Sequence, residues 1–433
     1  MPPELQVASA FGAFLMLLAC GMSVPFAIAV PGTLYLFMQD GFFALRGLGL
    51  VSWGSMDSFT LTAVPLFILM AEVLQVSGLS FRIYRGLSRL VCSVPGGLVQ
   101  TNILGCALFA AITGSSVATA ASIGGVALPQ LLNRGYSPRL SAGSLAAGGT
   151  LGILFPPSVA LIIYGSFTDT SIAKLFMAGV VPGLMLTAMF MIYVGIYALR
   201  NPQATPAEPP LASAGELGRA LLDVVPFVLL IGGTMGSMYF GLTTPVEAAT
   251  AGCVFATLLA VTLGSFGLME ARQALRRTVL VIGNLLFIIY AAFIFAYAIG
   301  TAGVGEQLTS WIVSLHLSHL QFFLALFVLY TLLGCLVESI GMIVITVPLL
   351  HPVLLQYGIS PIWFGVILVM YIELGQISPP IGINLFVIQS IWTGTLRDVV
   401  LGTVPFHLIM LVLLLMLSVW PELVLWLPGR MQQ

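Results

Sequence analysis

The chain has 433 residues and a net charge of −1; 59% of its residues are hydrophobic and only 7% are charged. Its 14 basic and 15 acidic side chains are too few to cover a soluble protein of this length, because roughly a quarter of the residues in a soluble domain are charged. The composition therefore excludes a soluble enzyme, a secreted domain, a disordered chain and a nucleic-acid-binding protein, and it predicts a polytopic membrane protein.

The first predicted membrane helix lies near the N-terminus. Residues 1–4 lack the basic region of a secretory signal, and the apolar run that follows continues to about Val30. A spanning helix needs about 20 apolar residues, and the candidates are residues 7–30, 59–76, 172–197, 221–240, 245–268, 279–299 and 399–427. Residues 42–51 form an apolar run that is too short to cross a bilayer.

Two stretches are predicted to be amphipathic helices at the membrane surface. The first carries Arg82, Arg85 and Arg89, whose spacing of three and four residues places them on one helical face. The second covers residues 306–319 and mixes Trp311 and histidines with leucine and valine.

The chain has one long polar linker, residues 201–217, near its middle. The cluster Arg272, Arg276 and Arg277 best indicates a cytoplasmic end, because basic residues accumulate on that side of a membrane.

The only lysine, Lys174, is not part of a Gly-Lys-Ser/Thr phosphate loop, so the chain does not hydrolyse ATP by that route. The cysteines and histidines have no metal-binding spacing.

Four apolar regions are interrupted by residues that disfavour a regular helix. Gly, Ser, Thr or Glu interrupt residues 90–132 and 320–355, while Pro-Pro pairs break residues 140–167 and 363–390. Irregular backbone at membrane depth is tolerated only where protein or a water-filled cavity shields it. We therefore expect these four regions to be shielded by the rest of the protein or to line a cavity.

An internal repeat joins these regions in pairs. When the chain is shifted by 223 residues, residues 129–182 align with residues 352–405 without a gap, and 15 of the 54 aligned positions are identical. Biased composition does not place five prolines in register. The matched prolines and glycines are Pro129/Pro352, Pro138/Pro361, Pro156/Pro379, Pro157/Pro380, Pro182/Pro405, Gly135/Gly358, Gly152/Gly375 and Gly179/Gly402. The chain is therefore predicted to contain a duplicated unit.

Each copy is predicted to contain one re-entrant hairpin and one broken helix. Residues 113–119 and their shifted partners, residues 336–342, interrupt apolar runs, and we interpret them as the tips of two hairpins. Proline donates no backbone hydrogen bond, so each Pro-Pro pair should unwind its helix and free carbonyl oxygens for a hard cation such as Na⁺. The new helix N-terminus carries a partial positive charge, which suits a carboxylate.

The two copies are predicted to have opposite orientations in the membrane. Four crossings separate the two Pro-Pro segments, and a re-entrant hairpin adds no net crossing. The predicted fold is therefore an all-α polytopic membrane protein with an inverted repeat, two re-entrant hairpins and two Pro-Pro-broken helices, an architecture of many secondary transporters.

The tips and breaks predict two related ion sites near the middle of the membrane, with substrate contacts beside them. The predicted Na⁺ ligands are Gly114, Ser115, Ser116, Gly152, Pro156, Glu338, Ser339, Gly375, Ser378 and Pro379. The predicted substrate contacts are Thr113, Ser116, Thr119, Pro157, Ser158, Gln376, Pro380 and Asn384. The alternative is that Gly and Ser only allow close helix packing, as is common in membranes. Four interrupted segments paired by a repeat favour a transport site.

Two acidic residues are candidates for function, because a carboxylate inside a membrane is costly. Glu338 lies at the second tip and Glu373 near the second break, where the first copy has Ser115 and Thr150. The two predicted sites are therefore not equivalent. The acids nearer to helix ends are interpreted as structural; they are Glu72, Glu247, Asp57 and Asp223.

Further motifs extend through both halves. The first half contains VPLF at 64–67, VPGGL at 94–98, FAAITGSS at 109–116, RGY at 134–136, GILFPPS at 152–158 and FMAGVVPG at 176–183. The second half contains TPVEA at 244–248, WFG at 363–365 and ELGQISPPIGINLF at 373–386. With these motifs over most of its length, the chain resembles the large membrane subunit of tripartite ATP-independent periplasmic (TRAP) transporters, the DctM-like proteins.

The resemblance implies an elevator-type, Na⁺-coupled importer in a bacterial inner membrane, with a scaffold and a mobile transport domain. It also implies two partners. One is a small four-helix membrane subunit that braces the scaffold, and the other is a periplasmic solute-binding protein that delivers an organic acid such as a sialic acid or a C4-dicarboxylate. Neither end of the chain resembles the small subunit, so we expect that subunit to be a separate chain.

The repeat and the resemblance together predict a division of the chain. Residues 1–80 are scaffold helices, 81–198 the first copy, 199–218 the linker, 219–304 scaffold helices of the second half, 305–398 the second copy and 399–433 a C-terminal helix. The family commonly has Asp at the position of Glu338 and Thr at that of Ser378, and both departures retain oxygen chemistry.

An alternative function is a stand-alone ion-coupled organic anion transporter or exchanger of the same superfamily, which would need no binding protein. A membrane enzyme would need a nucleophile, a base or a metal constellation, none of which the sequence suggests. A channel would need a charged ring along its pore, and the sequence suggests none. The resemblance implies that the substrate is selected mainly by the binding protein.

Overall fold

The computed structural model describes residues 3–57, 60–206, 213–301 and 303–431, and the regular structure of these ranges is helical. Phe59 of one predicted span and residues 207–212 of the predicted linker lie outside them. The first half contains α1 (Pro3–Ala19), α2 (Val24–Asp40), α3 (Ala44–Met56), α4 (Ala63–Val76), α5 (Leu79–Leu90), α6 (Leu98–Thr113), α7 (Ser116–Asn133), α8 (Pro138–Leu154), α9 (Val159–Thr168) and α10 (Ile172–Arg200). The second half contains α11 (Ala214–Tyr239), α12 (Pro245–Leu263), α13 (Leu268–Thr301), α14 (Val304–Ser314), α15 (His319–Gly334), α16 (Ser339–Gln356), α17 (Pro361–Gln376), α18 (Ile383–Ser390), α19 (Leu396–Val419) and α20 (Glu422–Leu425).

The duplication extends well beyond the window of sequence identity. α7 spans residues 116–133, and adding 223 gives 339–356, which are the bounds of α16. The same shift carries α8, α9 and α10 onto α17, α18 and α19, with starts that agree to within one residue. It also relates α2 to α12, α5 to α14 and α6 to α15, while α3 and α4 together correspond to the single helix α13. The repeat therefore covers nearly the whole chain.

Contacts between helices establish that the repeat is inverted. α8 and α19 run parallel, because Arg139 at the start of α8 pairs with Asp398 at the start of α19, and Thr150 lies beside Met410 further along. α17 runs antiparallel to α19, because Trp363 Nε1 near its start donates a hydrogen bond to the carbonyl oxygen near the end of α19, at 2.9 Å. α8 and its counterpart α17 therefore point in opposite directions, as predicted.

The described residues contain seven helices or helix pairs that are long and apolar enough to cross a membrane. An eighth is obtained if residues 60–76 and α5 count as one span bent by 71°. Four of them, α10 to α13, separate the two broken helices. This even number agrees with the inverted orientation.

The predicted span 7–30 is wrong as a single helix, because α1 ends at Ala19 and α2 begins at Val24. Gly21 lies between the two helices with a φ of +81°, a left-handed conformation typical of a helix end. Composition alone did not indicate this break, since the run remains apolar through it.

Two other predicted spans are shorter as helices. α12 ends at Leu263, where Gly264 follows, and the predicted span up to residue 268 includes the loop and the start of α13. α19 ends at Val419, because Pro421 cannot continue it and instead precedes the short helix α20.

The two predicted surface stretches are helices at equivalent places in the repeat. α5 buries Leu79, Ile83 and Leu87 on one face, while Arg85 is exposed on the other. The prediction of one helix over residues 306–319 is wrong beyond Ser314. The chain turns there, and the hydroxyl of Ser318 accepts a backbone hydrogen bond that begins α15, so His319 belongs to the next helix.

The acids interpreted as structural have local roles. Asp223 on α11 accepts from both Arg82 and Arg85 of α5, each at 2.8 Å. Glu72 lies 3.8 Å from Arg277. Glu247 forms a capping box with Thr244 at the start of α12, and Asp57 follows the last turn of α3.

Packing groups the described helices into two bodies. In the scaffold body, which comprises α1–α4 and α11–α13, α13 lies along α2 and α4, and α12 lies along α4. In the core body, which comprises α6–α10 and α15–α19, α8 contacts α6, α7 and α19. α5 and α14 lie between the bodies, and α5 contacts both α11 and α6. The residue boundaries predicted from the sequence remain predictions.

The contact between the two bodies is mostly apolar. Phe167 of α9 stacks on Phe293 of α13 at 4.6 Å between ring centroids, and Phe67 of α4 meets Phe176 of α10 edge-on at 6.0 Å. Within the part of the chain that the structure describes, one side-chain hydrogen bond joins the bodies, from Gln75 Nε2 of α4 to Ser122 Oγ of α7 at 2.5 Å. The surfaces of the two bodies are therefore held by few directional bonds.

Two glycines bring α8 and α19 into backbone contact. A Cβ on Gly402 would overlap the Arg139 carbonyl oxygen and lie 3.1 Å from the Gly143 Cα. We expect Gly402→Ala to lower the melting temperature of the detergent-solubilised protein, because such overpacking costs about 1–3 kcal/mol.

Differential scanning fluorimetry measures this change. The matched control is Gly236→Ala on α11, where an added Cβ meets no atom within 4 Å. Equal melting temperatures for the two variants would contradict the close contact of α8 with α19.

Candidate functional site

The first hairpin turns at Gly114 and Ser115, between α6 and α7. Gly114 has a φ of +60°, which favours glycine, and a Cβ there would lie 2.5 Å from the carbonyl oxygen of Pro157. The hydroxyls of Thr113 and Thr119, which flank the turn, share a hydrogen bond of 2.8 Å. The tip is thus closed by its own hydroxyl groups and pressed against the Pro-Pro break of the same copy.

The first break consists of residues 155–158, between α8 and α9. Pro156, Pro157 and Ser158 are buried, and the peptide bond between the prolines is cis. The Oγ of Ser158 accepts a backbone hydrogen bond at 3.4 Å and caps α9. One turn earlier, Gly152 lies so close to the backbone of Ser115 that no side chain would fit. Backbone contact therefore fixes the tip on the break.

A residue of the second copy completes this arrangement. Asn384 on α18 is fully buried and donates hydrogen bonds to Ser116 Oγ at 2.5 Å and to the carbonyl oxygen of Ala146 at 3.5 Å. Both Ser116 and Asn384 were predicted substrate contacts, and they lie side by side although 268 residues separate them. We call the first tip, the first break and Asn384 the first cluster.

The second cluster consists of the second tip, residues 335–338, and the second break, residues 377–382. A Cβ on Gly375 would lie 2.8 Å from the Cα of Gly334, so these helices also meet through glycine. The Cys335 thiol lies 3.5 Å from the carbonyl oxygens of Ser378 and Pro379. Tip and break are therefore in contact in this copy as well.

The predicted cation ligands of the second cluster are bonded differently from those of the first. Ser115 Oγ caps α7, whereas its counterpart Glu338 precedes α16 without a side-chain cap. Ser339 is buried at the start of α16. The hydroxyl of Ser378 donates to the carbonyl oxygen of Leu374 at 2.6 Å and so bonds to its own helix.

Two polar side chains of α17 lie fully buried beside the second break. Both carboxylate oxygens of Glu373 and both amide atoms of Gln376 lack a hydrogen-bond partner among the described residues, and the same holds for Oδ1 of Asn384. A buried polar group without a partner is expensive, and in a native protein it commonly marks a site for water, an ion or a ligand. The sequence predicts Gln376 and Asn384 as substrate contacts. It indicates Glu373 as a functional residue without assigning it to the ion or to the substrate.

The two clusters differ in how open they are. Pro156 and Pro157 of the first break are buried, whereas Pro379 and Pro380 of the second break are exposed. Leu336 at the second tip is also exposed, at 59%. The second tip and break are therefore more exposed than the first, where Thr113 and Ser115 are half-buried.

Sequence reasoning missed three contributors to the clusters. The Cys335 thiol approaches the second break, Gly334 makes its close contact possible, and the Ala146 carbonyl receives Asn384. The repeat gave no signal for Cys335, because its counterpart in the first copy is Ile112. A backbone carbonyl such as that of Ala146 carries no signature in a sequence.

The clusters offer the chemistry that a small hard cation prefers. The first cluster presents hydroxyl and carbonyl oxygens, and close contacts at Gly114 and Gly152 bring the tip and the break together. Such oxygens suit Na⁺, Mg²⁺ or Ca²⁺ rather than a soft metal, and the absence of a carboxylate from the first tip and break favours a monovalent ion. Each break also leaves a helix N-terminus, α9 or α18, that favours an anion.

Two hairpins and two broken helices related by an inverted repeat define the chain as a membrane transporter of the inverted-repeat type. Residues 11–423 match the family model described as "Tripartite ATP-independent periplasmic transporter, DctM component". The chain therefore belongs to this family, and the resemblance seen in the sequence motifs is confirmed.

Similar proteins in other bacteria are named for different solutes. The chain is 33% identical to the C4-dicarboxylate TRAP transporter large permease protein DctM of Pseudomonas aeruginosa, over 92% of each chain. It is 29% identical to the sialic acid TRAP transporter large permease protein SiaM of Vibrio cholerae, over 98% of each chain. It is 30% identical to the ectoine/5-hydroxyectoine TRAP transporter large permease protein UehC of Ruegeria pomeroyi, over 85% of this chain and 86% of that one.

A solved structure has the same fold. The crystal structure of the YdaH transporter of Alcanivorax borkumensis matches 89% of this chain and 89% of its own, with a TM-score of 0.66 and 17% identity. At this identity the likeness extends to the fold alone.

The bond between Asn384 and Ser116 predicts an energetic coupling between the two copies. A buried hydrogen bond contributes about 1 kcal/mol, so we expect Asn384→Ala and Ser116→Ala each to lower the free energy of unfolding. Their effects should be non-additive by about 0.5 kcal/mol or more, because both remove the same bond.

A double-mutant cycle on the solubilised protein measures this coupling. Ser390→Ala on the exposed end of α18 is the control, and its effect should add to that of Ser116→Ala. Additive effects of Asn384→Ala and Ser116→Ala would show that the two side chains do not act together.

Proposed function

We propose that this protein imports a small organic acid, coupled to Na⁺, by an elevator movement of the core body against the scaffold body. A periplasmic solute-binding protein delivers the substrate, and a small four-helix membrane subunit braces the scaffold. The observation that carries the proposal is the first cluster, where a hairpin tip, a helix break and an amide from the other copy meet inside the protein.

Na⁺ is proposed as the coupling ion because of the donors present. The first tip and break offer hydroxyl and carbonyl oxygens of Thr113, Ser115, Pro156 and Ser158, and these neutral oxygens match a hard monovalent cation. In the second cluster Glu338 adds a carboxylate near the tip, so the two ion sites would differ in charge. Na⁺ is here a co-transported substrate rather than a resident cofactor.

An organic acid is proposed because the breaks present groups that bind carboxylates. The N-terminus of α18 lies beside the Asn384 side chain, and the Gln376 amide is buried at the end of α17, directly before the break. Amide N–H groups and a helix N-terminus donate to a carboxylate, while free amide oxygens can accept from hydroxyls of the same molecule. The relatives named for dicarboxylates and sialic acid support this class.

The apolar contact between the bodies supports an elevator movement. Moving aromatic rings such as Phe167 and Phe293 past each other costs less free energy than separating ion pairs or hydrogen bonds, because no polar group loses its partner. The single side-chain bond between described residues of the two bodies, Gln75 to Ser122, would have to break during the movement.

The basic residues are distributed unequally between the two sides of the protein. The Arg139–Asp398 pair joins the starts of α8 and α19, the Ser137 N–H donates to the Ala204 carbonyl after α10, and the Ser265 N–H donates to the Ser77 carbonyl before α5. The basic residues on this side are Arg82, Arg85, Arg89, Arg134, Arg139, Arg200, Arg219, Arg272, Arg276, Arg277 and Arg397. The opposite side has Arg46, Lys174 and Arg430.

This asymmetry supports an orientation for import. Basic residues accumulate at the cytoplasmic face, so the side that carries Arg272 and its neighbours would be cytoplasmic. The solute-binding protein would then dock on the opposite side, where α10 begins and α19 ends. The membrane would be the inner membrane of a bacterium.

Reconstituted uptake tests the coupling. We expect proteoliposomes that contain this chain and the small subunit to take up the organic acid only with an inward Na⁺ gradient and the loaded binding protein. Ser115→Leu should abolish uptake with insertion intact, because the bulky side chain fills the first tip; Ser390→Leu on the exposed surface is the control.

Uptake in K⁺ medium without Na⁺ would contradict the coupling. Uptake by this chain without the binding protein would favour the stand-alone transporter or exchanger instead. Full Na⁺-dependent uptake by Ser115→Leu would mean that the first tip serves only helix packing.

A cross-link between the bodies tests the elevator. We expect Gln75→Cys with Ser122→Cys, in a background without the five native cysteines, to lose transport when Hg²⁺ bridges the thiols and to recover it on reduction. The control is Arg139→Cys with Asp398→Cys, joined by a short bis-maleimide, because this pair lies within the core body. Unchanged uptake by the cross-linked first pair would contradict the movement.

A further inference from the structure

Five arginines converge where α5 meets α11 and the base of the first hairpin. Arg82, Arg85 and Arg89 lie on the polar face of α5, Arg134 follows α7 and Arg219 lies in the second turn of α11. Two cavities open among them. One, of about 110 Å³, is lined by Phe81, Arg85, Ser88, Arg89, Gln130 and Arg134, and the other, of about 300 Å³, by Arg85, Gly86, Arg89, Glu216, Arg219 and Asp223.

The charges of this region are only partly compensated. Asp223 is 8% exposed and serves Arg82 and Arg85 at once, each at 2.8 Å. Arg89 and Arg219 form no ion pair with any residue that the structure describes, and both are exposed. Glu216 is the second acid that lines the larger cavity. Arg89 and Arg219 therefore add positive charge to these cavities that no ion pair with a described residue offsets.

Apolar side chains surround the opening of these cavities. Phe81 is 50% exposed and lines the smaller cavity, beside Arg85 and Arg89. On α11, Leu217, Leu221 and Leu222 are exposed next to Arg219. The surface thus combines a cationic pocket with an adjacent apolar flank. The helix α5, which we call the arm helix, is bent by 71° from α4, as expected for a helix that lies at the membrane surface.

We propose that these two cavities form a binding site for the phosphate of an anionic membrane lipid. Arg89 and Arg219 bind the phosphate from two sides, because a guanidinium donates two hydrogen bonds to phosphate oxygens in a fixed geometry. The acyl chains lie along Phe81 and the leucines of α11. The bound lipid joins α5 to α11 alongside the Asp223 ion pairs and anchors the arm helix in one leaflet.

The apolar flank favours a lipid over a soluble phosphate. A free phosphate ion would use the arginines but would gain nothing from Phe81 or the exposed leucines. Juxtamembrane arginines also attract anionic lipids, because the headgroups carry the opposite charge. The shared chemistry is a phosphate group, and the experiment separates its two sources.

Thermal unfolding of the delipidated protein tests the site. The additives are phosphatidylglycerol, phosphatidylethanolamine and inorganic phosphate, each measured with wild type, with Arg89→Gln/Arg219→Gln and with the control Arg272→Gln/Arg276→Gln. The control removes two exposed charges from the same side of the protein but outside the cavities. We expect phosphatidylglycerol to raise the melting temperature of wild type and control, and to lose at least half of this shift in the cavity variant.

Native mass spectrometry of the single variant Arg219→Gln provides a second measurement should the double variant fold poorly. Phosphatidylglycerol should remain bound to wild type at least twofold more often than to this variant. An equal shift in all three proteins, or no shift in wild type, would overturn the proposal. A shift with inorganic phosphate that depends on Arg89 and Arg219 would overturn the lipid as ligand.

Discussion

The backbone of a membrane protein must satisfy its polar groups inside the protein, and this constraint governs the arrangement of both clusters. Each hairpin tip and each Pro-Pro break leaves amides and carbonyls outside a regular helix. The structure encloses them by pressing tip against break, and glycine makes the approach possible at Gly114 and Gly152 in one copy and at Gly334 and Gly375 in the other. The same contacts bring hydroxyl and carbonyl oxygens together, so the packing that encloses the backbone also builds the candidate ion site.

Much of this arrangement was predictable because proline and glycine act locally. A Pro-Pro pair in a helix interior removes two consecutive backbone donors and breaks the helix. The register of these pairs indicated the repeat and both breaks. The rest depends on contacts that a sequence does not encode locally. The repeat outside residues 129–182 persists in helix bounds with little identity, and the approach of Asn384 to Ser116 depends on how two distant helices cross. The break at Gly21 was missed because the residues around it stay apolar.

The two copies share the arrangement of their helices but differ in the side chains at equivalent positions of the clusters. Ser115 caps a helix where Glu338 does not, and Thr150 bonds to its own helix where the Glu373 carboxylate has no partner among the described residues. Asn384 bonds across to Ser116, whereas its counterpart Leu161 is apolar. The second tip and break are also more exposed than the first. The two copies therefore differ in charge, in hydrogen bonding and in exposure.

The contact between α8 and α19 has a consequence for how the protein is made. The two helices lie backbone to backbone, and the Arg139–Asp398 pair at their starts joins residues 259 positions apart. α8 therefore enters the membrane long before the helix that covers its glycine face has been synthesised. During that interval the nascent chain presents an open groove, which lipid or another helix can occupy. Biogenesis must keep this groove available until α19 arrives, so the complete core forms only after α19 has been synthesised.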